Sequence, residues 1–437
     1  MEMKWEKLLT SQRLGIESTN SDGIRTEYYR DYDRIVFSAS FRRLARKTQV
    51  HPLSFNDHIH NRLTHSIEVS SVGRSLGLAI GLKIRDRLPD DITAVDFSSI
   101  IQAACVAHDI GNPPFGHAGE YAIRQWFTEN QHLLDPSLTE PERNDLMSFE
   151  GNAQGFRIVS QLENHYKKGG LRLTYATLGA LIKYPWQSDH YLTREKDKFN
   201  VFQTEVDIFH KVVDAVGLLK IENGEYARHP LAYLMEAADD ICYKILDVED
   251  ALELNLLRMS DVVPIFKKLA NESEIKDIGE DFSARKRIVP FRAKVIDNLI
   301  REVVDIFDDN YQDIMSGKFE GDLISKITGE CKEGIDEIKN ITKKNIFSNR
   351  RKVELEVGSY SSIEIILNAF ISAVNDKIKN GEKLTFKSKR ILDLMQDDFP
   401  TGECSAYEYY MSITDFVSGM TDNYATFIAK QISGSAK

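Results

Sequence analysis

The sequence predicts an all-α protein. Three observations predict it. Apolar residues recur at three- and four-residue spacing over long stretches, and helix start and stop residues bracket those stretches. Alternating strand patterns are scarce, with Asn223-Gly224 the single candidate hairpin turn. A hydrophobic share of 42% and a charged share of 28% over 437 residues suit a globular chain with a proper core.

The elements follow in chain order. "RLTHSIEVSSVGRSLGLAIGLKI" places Leu63, Ile67, Val69, Val72, Leu76 and Ile80 near helical spacing. "DFSSIIQAACVAHDI" reads as a buried helix that stops at Gly111, with Pro113 and Pro114 just beyond. A new helix opens near His117. The polar stretch from about Asn130 to Asn144 reads as an exposed connection. "HPLAYLMEAADDICYKILDVEDALEL" is a helix with proline at its start, where a missing N–H costs least. "YSSIEIILNAFISAVNDKI" and "AYEYYMSITDFVSGMTDNYATFIAKQI" are further helical stretches. The charged segment around Asn271 to Ser283 divides a core section, 1–270, from a C-terminal helical section, 271–437, that packs on it and completes a shared site.

Composition narrows the function classes. No apolar run is expected to span a bilayer, so no membrane partner is expected. The opening "MEMKWEKLLTSQRLG" lacks the apolar stretch of a signal peptide. Cys105, Cys242, Cys331 and Cys404 lie far apart with no C-x-x-C pair, which points away from a disulfide framework and toward a reducing, cytoplasmic setting. A net charge of −11 argues against wholesale wrapping of nucleic acid but allows a local basic pocket.

The chemistry concentrates in "HDIGNPPFGHAGE". His108 and Asp109 stand at a helix end and can both reach into a pocket. His65 and Asp239, on an earlier and a later helix, are the best partners for them, with Asp240 competing for the second role. Two imidazoles and two carboxylates suit a borderline or hard divalent ion such as Mn, Fe, Zn or Mg. His117 and Glu120 are three apart and share a helix face, so the acid can orient or charge the imidazole as a proton-transfer pair. Asp239, Tyr243 and Asp247 share another face and would present a metal carboxylate, a flat ring and a second acid in line. Arg62, Lys183 and Lys198 are candidates to hold phosphate.

Taken together, "FRRLARKTQV", "NRLTHSIEVS", "HDIGNPPFGHAGE", "FEGNAQGFR", "LIKYPW", "EAADDICYKILDVEDA" and "FVSGMTDNYA" make the chain similar to the dGTP triphosphohydrolase family of HD-domain phosphohydrolases, from about Arg25 to Ala425. The resemblance implies an HD-domain helical core. It implies metal-assisted attack at the α-phosphate of a deoxynucleoside triphosphate, giving deoxynucleoside and inorganic triphosphate. It implies His65, His108, Asp109 and Asp239 as metal ligands, His117 with Glu120 as the catalytic pair, and Gln49 with Asp247 at the sugar 3′-hydroxyl. Tyr243 would pack on the deoxyribose, Arg62, Lys183 and Lys198 would meet the triphosphate, and Asn152 would line the pocket. Phe347 and Glu356, in "FSNRRKVELEVGSY", match the base-proximal positions.

The resemblance further implies Mn²⁺ or Mg²⁺ foremost, with Fe, Co, Ni or Zn as alternatives. It implies a homo-oligomer, with a hexamer favoured, and single-stranded DNA as an effector. One departure stands out: no arginine follows Arg390, where some members carry one near the nucleotide, which leaves base preference open between dGTP and a broader dNTP set. Two other readings are an HD phosphohydrolase acting on another nucleotide phosphoester and a non-catalytic dNTP sensor.

Overall fold

The computed structural model describes residues 2–16, 25–49, 56, 58–164, 169–221, 225–271, 279, 281–347 and 349–435, apart from the side chains of Phe347 and Arg351. Among these residues the architecture is helical, and only isolated β-bridges occur. Asn223-Gly224 lies outside the described residues; its flanks Lys220 and Tyr226 form an antiparallel bridge.

Nine helices carry the argument. α1 (Arg62–Lys83) starts at a capping box in which Asn61 and Thr64 satisfy each other's backbone N–H. α2 (Ala94–Ala107) starts at a second box, Thr93 with Asp96. α3 (His117–Glu129) follows the glycine–proline loop, and α4 (Gly151–Arg157) is capped by the Glu150 side chain. α5 (Pro230–Glu253) opens on His229 with its proline in the first turn. α6 (Ala284–Asp309) and α7 (Arg350–Asn380) are the long helices of the C-terminal half. α8 (Ala406–Gly419) and α9 (Asp422–Ile432) end the chain.

Three details differ from expectation. The last periodic stretch is two helices, because Met420 is extended and Thr421 caps a new start by accepting from the Tyr424 N–H. The polar connection contains a short helix, Glu140–Met147, launched by a Thr139–Glu142 capping box with proline in its first turn. The expectation that nothing is apolar and long enough to span a bilayer needs correction: α7 passes that test of length and composition. Its apolar side, including Ile363, Leu367, Phe370 and Val374, is buried against α3, α8 and α9, which makes it a core helix of this fold.

Two hydrophobic cores result. The first gathers α1, α2, α5 and α6 around Phe97, Phe156, Phe291 and Phe307. The second gathers α3, α7, α8 and α9 around Phe127, Phe149, Phe370 and Tyr410. The chain passes from the first to the second through the loop His108–Gly116, with Ile110 in one core and Phe115 in the other. The glycine–proline loop is therefore the joint between two cores as well as the end of a helix.

Inside the first core, α1 and α2 touch along small residues. A Cβ on Gly77 would stand 2.7 Å from the Ser98 Cα, and one on Gly73 would stand 2.4 Å from Cys105 Sγ. This close approach brings the first turn of α1, with His65, alongside the end of α2, with His108. Gly77→Ala should lower stability by roughly 1–3 kcal/mol through overpacking against backbone. Gly81→Ala should cost less, because its Cβ would meet the Ala94 Cα at 3.0 Å. Urea unfolding of the two variants checks the order.

Candidate metal centre and nucleotide cleft

The two helices and α5 bring four predicted ligands to one point. His65 Nε2 lies 3.0 Å from Asp239 Oδ1, and His108 Nε2 lies 3.4 Å from the same oxygen. One ligand atom from each of His65, His108 and Asp109 lies within 4.8 Å of the other two. The two imidazole rings meet edge to face with centroids 5.3 Å apart.

The donor set fits a divalent cation. His108 Nδ1 donates to the Cys105 carbonyl at 2.7 Å, which leaves Nε2, buried without a hydrogen-bond partner, as the nitrogen that can turn to a cation once it gives up its proton. Asp109 Oδ2 accepts from Arg62 at 2.7 Å, and its Oδ1 accepts from Asn112. Burial alone would lower the His108 pKa, yet Asp109 and Asp239 overrule it and hold it up at about 9. Burial likewise opposes charge on Asp239, but His108 and His65 keep its pKa well below the usual carboxylate range. A cluster that draws a proton this strongly is one in which a metal ion can take the proton's place. Asp240 turns elsewhere, to Lys244 at 3.4 Å, so Asp239 is the aspartate that meets the histidines.

The loop geometry explains the glycines in the opening motif. A Cβ on Gly111 would fall 2.2 Å from the Gly151 carbonyl oxygen, so α4 can press against the loop only if that position is bare. Gly116 has φ +59°, and a Cβ there would meet the Arg62 guanidinium at 2.8 Å. Phe115, a non-glycine residue at φ +64°, is held by Asp422, whose Oδ1 accepts its N–H at 2.9 Å.

Cations ring the cluster, each already paired with an acid. Lys183 Nζ lies 3.0 Å from Glu236, whose other oxygen accepts from Arg228 at 2.7 Å. Lys198 lies 2.8 Å from Glu150 and 3.4 Å from Glu120. His117 is accessible to water yet walled by protein, as befits a side chain lining a cleft. Desolvation, then Arg62 and Lys198, hold its pKa down to about 4, so its ring is neutral at pH 7.

The expected contact between His117 and Glu120 is not made. Glu120 Oε1 accepts from Arg124 at 2.8 Å and its Oε2 accepts from the Gly151 N–H at 3.2 Å. No hydrogen bond joins the pair among the described residues. The reason is local: His117 opens the helix at the cleft, whereas Glu120 is buried one turn on, against the start of α4.

Further along α5, Tyr243 stands at the surface of the cleft and hydrogen-bonds Asp247. Burial, then the Asp250 and Asp239 charges, push the Asp247 pKa up to about 8. Asp247 Oδ2 and Gln49 Oε1 are buried without a hydrogen-bond partner. Asn152 donates to Glu150 at 2.9 Å. Glu356 lies on α7, paired with Lys352 and near Tyr360. The Phe347 side chain lies outside the described residues.

The sequence reading missed Glu236, Glu150, Arg124 and Asp422. Glu236 had a usable signal, since it stands three residues before Asp239 on the same helix face. The others reach the site only through tertiary contacts.

Asp239→Asn should abolish tight Mn²⁺ binding while Asp240→Asn leaves it unchanged. Arg62→Ala, which frees the Asp109 carboxylate, should weaken Mn²⁺ binding by roughly 10–100-fold. Isothermal titration of the three variants measures all of these.

Comparison with known proteins agrees with the geometry. A family model described as HD domain matches residues 62–140. The deoxyguanosinetriphosphate triphosphohydrolase-like protein of Pseudomonas aeruginosa is 44% identical over 440 residues, covering 99% of each chain. Its counterpart in Synechocystis sp. is 38% identical, again over 99% of each. The deoxyguanosinetriphosphate triphosphohydrolase of Yersinia pestis is 32% identical over 90% of this chain and 91% of its own. The chain belongs to the deoxyguanosinetriphosphate triphosphohydrolase-like family of HD-domain proteins.

Proposed function

We propose that the protein hydrolyses deoxynucleoside triphosphates, dGTP among them, to deoxynucleoside and inorganic triphosphate by attack of water at the α-phosphate. The observation that carries this reading is the ordering of one cleft. The histidine–aspartate cluster and its paired cations gather around Asp239, and Tyr243 and Asp247 follow on the same face of α5, with Asp247 Oδ2 buried and unpartnered. The names of the full-length relatives support it.

A divalent ion held by His65, His108, Asp109 and Asp239, with Mn²⁺ or Mg²⁺ foremost, would supply Lewis acidity to a phosphoryl oxygen and acidify water. Arg62, Lys183 and Lys198 offset the charge of the phosphate oxygens. His117, neutral before substrate arrives, accepts a proton, and the negative triphosphate strengthens its hold on it. At the sugar end, Asp247 keeps its proton at pH 7 and donates to the 3′-oxygen, while Gln49 Oε1 accepts from the 3′-hydroxyl. The Tyr243 ring packs on the deoxyribose. The same reading places the protein in the cytoplasm as a ring-like homo-oligomer, a hexamer foremost, with single-stranded DNA as an effector.

Incubation with each dNTP and Mn²⁺, with products resolved by chromatography, tests the reaction. Deoxynucleoside with intact triphosphate is the expected result; monophosphate with pyrophosphate would overturn it. His117→Ala should lower kcat by about 10²–10⁴-fold.

The pH dependence follows from the two shifted groups. Read as kcat/KM, which reports the free protein, activity should fall below about pH 4, where His117 becomes protonated, and above about pH 8, where Asp247 loses its proton. Stability gives a separate check on Asp247. Its folded pKa of about 8 exceeds the ordinary 3.8, so unfolding releases a proton throughout that interval. The favourable contribution is complete below the ordinary value and is lost as pH rises toward the folded one. Asp247→Asn should therefore raise the melting temperature at pH 8 relative to wild type, with a smaller difference at pH 4, while weakening substrate binding.

A further inference from the structure

Lys198 is held where two buried carboxylates meet, and one of them, Glu150, has no place in the set of residues assigned above. Glu150 is 1% exposed, yet its carboxylate is fully engaged. Its Oε2 accepts from the Asn152 N–H at 2.6 Å and the Ala153 N–H at 3.3 Å. Its Oε1 accepts from the Asn152 side chain at 2.9 Å and from Lys198 at 2.8 Å. Remove Lys198 and three neutral donors remain, so the carboxylate stays hydrogen-bonded after the lysine leaves.

The lysine is built to leave. Its backbone is fixed, because its carbonyl accepts from the Trp186 indole at 2.7 Å and Asn200, two residues on, donates to the Asn152 carbonyl at 3.1 Å. Its side chain keeps 27% of its surface open, whereas Glu150 and Glu120 are almost wholly enclosed. The charges of Lys198 and Glu150 both reach His117, which places the ammonium beside the reacting end of the cleft.

We propose that Glu150 is a positioning residue: it holds the Lys198 ammonium and the Asn152 amide over the cleft in the free protein and yields the lysine to the triphosphate when substrate binds. The inference rests on the reading of this cleft as a dNTP triphosphohydrolase centre. Glu150 does not touch the reacting atoms; it acts through Lys198. Its role as the cap of α4 is separable from this one. Aspartate is a good helix cap but is one methylene shorter, so Glu150→Asp keeps the cap and withdraws from the lysine.

The test is steady-state kinetics on the full-length protein with Mn²⁺ and dGTP, or whichever dNTP is hydrolysed fastest, for E150Q, E150D, K198M and the E150Q/K198M double variant, with a melting curve for each. K198M should lower kcat/KM by about 10- to 100-fold, as for loss of a charge-assisted hydrogen bond. E150Q should lower it comparably, mainly through KM. The double variant should be no worse than K198M alone. E150D should melt like wild type while showing the KM defect of E150Q. Wild-type kinetics in E150Q, multiplicative losses in the double variant, or a normal KM in E150D would overturn the role of Glu150. A silent K198M in an active protein would overturn it too, while leaving the reaction standing. If the wild type releases no triphosphate from any dNTP, the reading of the cleft fails and this inference falls with it.

Discussion

Asp422, buried at the first turn of α9, ties the loop between the two cores to the segment that leads toward α1. One oxygen takes the N–H of Phe115 in the loop between the two cores; the other takes the N–H and hydroxyl of Thr48. Beside it the buried Lys47 donates to the carbonyls of Asn112 and Ser418 at 2.6 Å each. Burial, and then Arg43, pull the Lys47 pKa down to about 7, so this ammonium is held with little reserve. Each amide orphaned by loss of Asp422 would cost about 1–3 kcal/mol. The strained backbone of Phe115 would lose its anchor at the same time. Gln49, one residue past Thr48, and His117, two past Phe115, both take their positions from this pair of contacts.

A second constraint is charge. The structure gathers Arg62, Lys183 and Lys198 close to the histidine–aspartate cluster, and such a gathering would be unstable if the cations stood alone. Each is matched instead: Arg62 by Asp109, Lys183 by Glu236, Lys198 by Glu150 and Glu120. An anionic ligand at this point would meet cations already oriented and would compete with carboxylates for them. Lys198, with 27% of its side-chain surface open, is the most accessible of the three cations to an incoming anion. The more enclosed Lys183–Glu236 and Arg62–Asp109 pairs are costlier to separate, because parting them leaves a charge buried without its partner.

The helical class and the meeting of the histidines with the aspartates were legible in the sequence because both depend on local rules. Capping boxes, periodicity and the His-Asp pair at a helix end are visible in a single stretch, and face-sharing along α5 picks out Asp239, Tyr243 and Asp247. What stayed hidden depends on which core each element joins. Nothing local announces that "GMTD" ends one helix, starts another and reaches back to the loop His108–Gly116. The pairing of His117 with Glu120 looked sound from spacing alone, but spacing is silent about the Arg124 and Gly151 donors that claim Glu120 in three dimensions. The apolar length of α7 shows the same limit from the other side, since only its packing against α3, α8 and α9 shows what its apolar side is for.

Helix α5 shows how one residue type serves opposite ends of the cleft. Asp239 and Asp247 lie eight residues apart on one face, roughly 12 Å along the axis. Two histidines hold Asp239 ionised against its burial. Asp247 has burial and two neighbouring aspartates against it, and only Tyr243 and the more distant His60 on the other side. Environment alone makes the first a carboxylate fit for a cation and the second a carboxylic acid fit to donate a hydrogen bond. The axis between them runs from an ionic end to a neutral one, and an anionic group joined to an uncharged hydroxylated ring is the ligand shape that satisfies both ends at once.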